Sequence, residues 1–288
     1  MEIFFHRGEG KRPLVVFIHG MGMDMKTWSS PSAALILGGK YPLPALAGPD
    51  AEIATSLQDL KSLGYPLLSW TQSRPVGPVM VAVRELKELL CRYEKYAARG
   101  TILICHSRGG LVARKYLEAP DVPIRAVSTL ATPHHGTSMA KWAAIISPLA
   151  SAMNQLLRDA AKKDIDSAFR RVLGFLGSTG LRELLPGSQF YSGLKDVKKE
   201  GVRYVSMGGT NPDLLRAVSV SLPRLISRVL PESVVPEEMR EGMGDGLVSA
   251  ASSVLPYTDE HLNVHFNHGS ILFDKEVRRL IAKTVESV

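Results

Sequence analysis

Thr101–Gly110 reads TILICHSRGG, an apolar run that closes on a His-Ser pair and turns at once into Arg-Gly-Gly. A short apolar run bounded by turn residues suits a strand buried on both faces. The residues after it, GGLVARKYLE, have the spacing of a helix. Strand, sharp turn and helix in immediate succession form one βα unit of an open α/β sheet. Such a turn lifts the serine hydroxyl above the sheet and aims the following N–H groups at any charge that develops there. Ser107 is therefore a candidate nucleophile, against the plainer reading of a buried strand that ends in a polar turn. Small residues are needed where neighbouring backbone crowds the turn. Gly109 meets that need, whereas Cys105 stands where a first glycine is usual and is small enough to fit if its Cβ faces some room.

Working outward, the same rhythm recurs. PLVVFIHG (13–20) reads as a strand buried on both faces, and DMKTWSSPSAALIL and AEIATSLQDLKSLG can each supply a helix before the strand-like YPLLSW (65–70). GPVMVAVRELKELLCRYEKYAARG is the clearest helix: Val79, Val83, Leu86, Leu90 and Tyr93 share a face, with Pro78 near the start and Gly100 past the end. IRAVSTLATP, GVRYVSMGG (201–209) and HLNVHF continue as strands, and KEVRRLIAKTV closes the chain as a helix. The expected fold is α/β, a mostly parallel central sheet with helices on both faces, in one domain over 1–288. From Gly136 to Lys199 the rhythm fails, and 137–199 reads as a helical cap or lid insertion. A further helical piece, PDLLRAVSVSLPRLISRVL, precedes the proline- and acid-rich loop that leads to GDGLVS.

With 288 residues, 45% hydrophobic and 22% charged, the chain has the composition of an ordinary globular domain. Its net charge of +7 is spread along the sequence with no basic stripe interleaved with aromatics, so no nucleic-acid partner is expected. Two cysteines, Cys91 and Cys105, make neither a disulfide framework nor a CxxC metal pattern. The start MEIFFHRGEGKRP lacks the longer apolar region of a signal peptide. WAAIISPLASAMNQLL has 16 residues, including Pro, Asn and Gln, short of the roughly 20 a spanning helix needs. A cytoplasmic location is the expectation.

A serine hydroxyl is a weak nucleophile unless a base, an acid that orients the base, and N–H donors for the oxyanion converge on it. Three other stretches offer these. FIHGMGMD (17–24) runs a strand into a glycine-rich turn whose N–H groups are free to face an anion, although an ordinary βα turn with a satisfied His19 reads equally well. REGMGDGLVS (240–249) sets Asp245 between glycines, where it could also merely cap a turn. Asp213, Asp259 and Asp274 are its rivals. In VHFNHGSILFD (264–274), His268 lies past a strand and before a helix, in reach of the sheet's C-terminal edge, while His261 and His265 alternate with apolar residues and decorate a strand.

TILICHSRGGLVAR resembles the GHSMGGLVAR-like string of the α/β-hydrolase superfamily, in its bacterial lipase and esterase branch, and departs from it at Cys105 and Arg108. The resemblance covers nearly the whole chain in order, except the insertion. It implies Ser107 as nucleophile, Asp245 in DGLV as triad acid, His268 as base, and the backbone N–H groups of Met21 and Arg108 as the oxyanion hole. The guanidinium of Arg108 is no part of that expectation. Chain order, Ser107 then Asp245 then His268, is that of this superfamily and not of the two other well-known serine hydrolase folds.

LATPHHGTSMA (130–140) resembles a TPHHG string of lipase-like proteins. His134 and His135 could suggest zinc with His265 or Asp245, but adjacent histidines rarely face one ion, and a turn shaping the pocket wall is the preferred reading. LRELLPGSQFYSGL (181–194) resembles the segment after a lipase lid, with Phe190 and Tyr191 near the pocket. In the insertion Trp142, Ile145, Ile146 and Leu149 fall on one apolar face, which would roof the site as substrate-binding residues of a fixed cap or a mobile lid.

The expected activity is carboxylic ester hydrolysis, esterase or lipase, through an acyl-enzyme, on a small-molecule or lipid ester and with transient lipid-surface contact as an option. It needs no metal or organic cofactor. An acyltransferase or another acyl hydrolase, such as a phospholipase or polyester depolymerase, would use the same triad. A non-catalytic lipid-surface protein is a weaker alternative, because Ser, His and Asp are all present.

Overall fold

Leu14–Ile18 (β2) contains neither a polar nor a turn residue, and all five side chains are buried. Alternate side chains serve opposite layers. Leu14, Val16 and Ile18 join one core cluster, and Val15 and Phe17 join another. The strand is thus sealed on both faces, as parallel sheets require. The architecture is that of a computed structural model, which describes residues 1–36, 41–42, 53–139, 178–196, 198–214 and 235–288.

Seven strands form the sheet: β1 (Ile3–His6), β2, β3 (Leu67–Trp70), β4 (Thr101–His106), β5 (Ile124–Leu130), β6 (Arg203–Gly209) and β7 (Glu260–Val264). Their order is β1-β3-β2-β4-β5-β6-β7. β1 runs antiparallel to β3, and every other neighbouring pair is parallel. The C-terminal ends of β2 to β7 therefore share one edge, where ligands of open α/β sheets bind.

Helices α1 (Ser56–Ser62) and α4 (Lys275–Glu286) cover one face and α2 (Val79–Arg92) and α3 (Arg108–Tyr116) the other. The apolar face read on α2 is the buried one: Val79, Val83, Leu86 and Leu90 lie in the core, and Tyr93 packs against it. Asp274 caps α4, accepting the N–H groups of Glu276 and Val277.

Two differences from the sequence reading have simple causes. The described part of DMKTWSSPSAALIL, residues 24–36, holds a turn of helix at Lys26–Ser29, a 3₁₀ turn at Pro31–Ala33 and a two-residue strand at Leu35–Ile36 instead of one helix, because Pro31 cannot continue the helix before it. β1 was not anticipated, since four residues carry too little periodicity to declare an edge strand. The insertion's Trp142, Ile145, Ile146 and Leu149, and nearly all of PDLLRAVSVSLPRLISRVL, lie outside the described residues. Among the described residues no helix is long and apolar enough to cross a membrane.

Candidate active site

Ser107 is the first residue after β4 and adopts φ 54° and ψ −129°, a left-handed backbone that side chains other than glycine rarely enter. Such strain costs roughly 1–3 kcal/mol and persists only where its surroundings hold it. Here the Ser107 N–H donates to Leu130 O at 2.8 Å, and Ser107 O accepts from Gly110 N at 3.0 Å and from Thr132 Oγ1 at 2.9 Å. Both glycines of the turn are enforced by close approach. A Cβ on Gly109 would meet Ile18 O at 2.5 Å, and one on Gly110 would meet Thr132 Oγ1 at 2.2 Å. Cys105, by contrast, has its side chain in the core with Leu111 and Val112, so the residue two before the serine has the room that a side chain needs.

Gly20, following β2, lies against the serine: a Cβ placed on it would sit 2.9 Å from Ser107 Cβ. His19 holds this loop from within. Its Nε2 accepts the N–H of Gln72 at 3.1 Å, so the proton is on Nδ1, which donates to Gly20 O at 2.8 Å. Burial lowers the His19 pKa to about 4, with the nearby Arg108 cation adding to the effect against the Gly20 hydrogen bond. The imidazole is neutral. Met21 is buried, and its neighbour Gly22 donates to Pro75 O at 2.9 Å.

Asp245 and His268 meet at the other end of the same edge. His268 Nδ1 lies 2.8 Å from Asp245 Oδ2, with both side chains buried. The second carboxylate oxygen, Oδ1, accepts the N–H groups of Leu247 at 2.9 Å and Val248 at 2.7 Å, and His268 N donates to Asp245 O at 3.0 Å. Asp245 adjoins the end of β6, where a Cβ on Gly209 would come within 2.7 Å of Asp245 Cβ. Of the rival acids, Asp274 caps α4 and Asp259 pairs with Lys198 and accepts Tyr204 N, while the main-chain oxygen of Asp213 accepts from Asn267 Nδ2 beside His268. His261 bonds Ser206 Oγ from β7, and the exposed His265 faces Glu241 at 3.5 Å.

His106 connects the two halves. Its Nε2 donates to His268 O at 2.8 Å, and the two rings lie 4.8 Å apart between centroids. Burial, and secondarily the neighbouring His268, lowers the His106 pKa well below the ordinary histidine range. Asn267 shapes the same loop by accepting the N–H groups of Gly269 and Ser270 on Oδ1. The four stretches picked out in the sequence are thereby gathered at one edge.

Residues 15–263 match the model of the alpha/beta hydrolase family. The chain belongs to the alpha/beta hydrolase family. This hydrolase superposes on the mature lipase of Bacillus licheniformis with a TM-score of 0.54 and 18% identity, covering 98% of this chain and 97% of that one. It is similar also to the propeptide form of that lipase, with a TM-score of 0.55, 18% identity, and coverage of 98% and 53% of the two chains. A candidate non-heme bromoperoxidase of Mycobacterium tuberculosis H37Rv gives a TM-score of 0.51 at 14% identity, with 100% and 96% covered. At these identities the likeness concerns the fold, which hosts several chemistries. No protein with a curated description matches the sequence.

The wall beside the Asp245 loop was not legible in the sequence. Glu238 is buried, with Oε1 accepting from Thr137 Oγ1 at 3.1 Å and Ser138 N at 2.7 Å, and Oε2 from Ser138 Oγ at 2.9 Å. Its main-chain oxygen accepts Gly246 N at 2.7 Å, next to Asp245. A cavity of 410 Å³ opens there, lined among others by His135, Ser138, Glu237, Glu238 and Ser252. His134 is buried, within 3.1 Å of Thr129 Oγ1, and Tyr191 Oη donates to Pro133 O at 2.5 Å, so the TPHHG turn is braced from both sides.

Proposed function

We propose that this hydrolase cleaves carboxylic esters through an acyl-enzyme on Ser107. The observation that carries the reading is the buried 2.8 Å contact between His268 Nδ1 and Asp245 Oδ2, at the same sheet edge as a strained serine between strand and helix. Asp245 fixes the imidazole with its proton on Nδ1, which leaves Nε2 to accept a proton.

Ser107 Oγ attacks the ester carbonyl carbon while its proton passes to His268 Nε2. The carbonyl oxygen takes up the electron pair and is stabilised by the N–H groups of Met21 and Arg108. Collapse expels the alcohol, which leaves with the proton from His268. Water, deprotonated by His268, then attacks the acyl carbon and regenerates Ser107. The support for Arg108 is its place as first residue of α3, whose N–H has no partner within the helix. The apolar face read in the insertion, with Trp142, Ile145, Ile146 and Leu149, is the proposed acyl-side wall.

The test is hydrolysis of p-nitrophenyl esters across a chain-length series by wild type and Ser107→Ala, with fluorophosphonate labelling. Ser107→Ala is expected to lose at least about 1,000-fold in kcat and all labelling. Undiminished turnover by that variant overturns the reading.

A further inference from the structure

Arg108 is fully buried, yet among the described residues it makes no ion pair. Taking a guanidinium out of water is costly unless its donors are used. Both terminal nitrogens are used, on neutral acceptors, whereas the buried Nε has no partner among the described residues. One terminal nitrogen donates to Gly77 O at 2.5 Å and the other to Gln72 Oε1. Glu183 and Glu85 lie near enough to favour the cation, although burial dominates and lowers its pKa to about 10.

These two acceptors stand at the two ends of one loop, Gln72 to Gly77. That loop in turn grips the turn after β2 on both sides of Met21. Gln72 donates its N–H to His19 Nε2 at 3.1 Å and its side-chain amide to His19 O at 3.0 Å, and His19 Nδ1 donates to Gly20 O at 2.8 Å. On the far side, Gly22 N donates to Pro75 O at 2.9 Å. A guanidinium is the side chain suited to fastening both ends, because its rigid fork spans two acceptors at once.

We infer that Arg108 is a positioning residue, whose guanidinium fixes the Met21 peptide through the Gln72–His19 chain and so sets the distance between two oxyanion donors. The inference rests on the proposed ester-hydrolase reading. In it, one residue supplies an N–H to the oxyanion through its main chain and orients the other N–H through its side chain. A misplacement of that second donor acts on the transition state more than on substrate binding.

The experiment compares wild type, Arg108→Met, Arg108→Lys, Gln72→Ala and the double variant Arg108→Met/Gln72→Ala, each checked by circular dichroism and thermal unfolding. Steady-state hydrolysis of p-nitrophenyl butyrate is measured together with inhibition by a phenylboronic acid, which forms a tetrahedral adduct with the serine. Each single variant is expected to lose roughly 10- to 100-fold in kcat with KM changed about 3-fold or less, and boronate affinity is expected to fall in parallel. Arg108→Lys is expected to behave like Arg108→Met, because a point cation cannot span both acceptors. The double variant is expected to lose no more than the worse single one, as two links of one chain should. Full kcat and boronate affinity in folded Arg108→Met, or strictly additive losses, overturn the inference. Should Arg108→Met fail to fold, Gln72→Ala decides, with unchanged kcat and boronate affinity overturning it. Fluorophosphonate labelling of Ser107 in wild type separates the two levels: labelling with unaffected Arg108 and Gln72 variants removes this inference alone, and an unlabelled, dispensable Ser107 removes the ester-hydrolase reading.

Discussion

His106 Nε2 lies 2.8 Å from the main-chain oxygen of His268, so the residue before the serine holds the peptide of the proposed base. The contact crosses 162 residues of chain and directly joins the end of β4 to the loop after β7. His106→Phe keeps a ring of similar bulk and deletes the donor. A buried carbonyl left without a partner costs about 1–3 kcal/mol. Loosening the His268 loop is expected to lower kcat by roughly 10-fold or more, since small misplacements of a reacting group are expensive. Thermal unfolding and kcat on a short-chain ester check both parts, and unchanged values for both would mean that the bond contributes nothing.

Asp245→Asn is expected to lower kcat by about 10,000-fold, as removal of the orienting carboxylate does in enzymes with a Ser-His-Asp triad. The fold should survive, because Oδ1 can still accept from Leu247 and Val248 when the amide nitrogen takes the Oδ2 position. That nitrogen would then face His268 Nδ1 as a donor and favour the wrong tautomer. Near-normal turnover, with unfolding temperature also unchanged, would move the acid's role to another carboxylate.

The residues legible in the sequence are those whose chemistry is written locally. Ser107 follows an apolar strand and precedes Gly-Gly, Asp245 sits between glycines, and His268 stands at the end of a strand pattern. The residues that hold them were not legible, because each acts across a long gap. Gln72 reaches His19 over 53 residues, Thr132 reaches Ser107 over 25, and Glu238 joins Ser138 over 100. Nothing in the local pattern of Gln72 or Glu238 distinguishes it from a solvated side chain. Arg108 is the intermediate case: its departure from the family string was visible, but only the fold shows where its guanidinium goes.

Cys105 and Cys91 are expected to differ sharply in reactivity. Burial pushes the Cys105 thiol far above its ordinary pKa, so almost no thiolate forms at neutral pH, whereas Cys91 is exposed on α2. One thiol per folded chain should react with Ellman's reagent and two after denaturation. Cys105→Gly should keep the activity of the folded protein and lose about 1–2 kcal/mol of stability, through a cavity beside Leu111 and a glycine within a strand. Loss of activity with stability intact would make Cys105 more than a packing residue.

Acid should destabilise the fold through buried neutral histidines. His19 has a folded pKa of about 4 against an ordinary value of 6.5, and burial also holds His106 and His134 well below that value. Between these limits the unfolded chain binds protons that the folded chain does not, so stability rises with pH in that window. The contribution is full above the unfolded value and is lost as pH falls through the folded one. For His19 alone the difference amounts to roughly 3 kcal/mol. Urea unfolding at pH 7.5, 6.5, 5.5 and 4.5 should therefore show a steady fall in stability below pH 6.5, with a shallower slope in a His134→Gln variant. A flat profile down to pH 4.5 would mean that these imidazoles take up protons without leaving their sites.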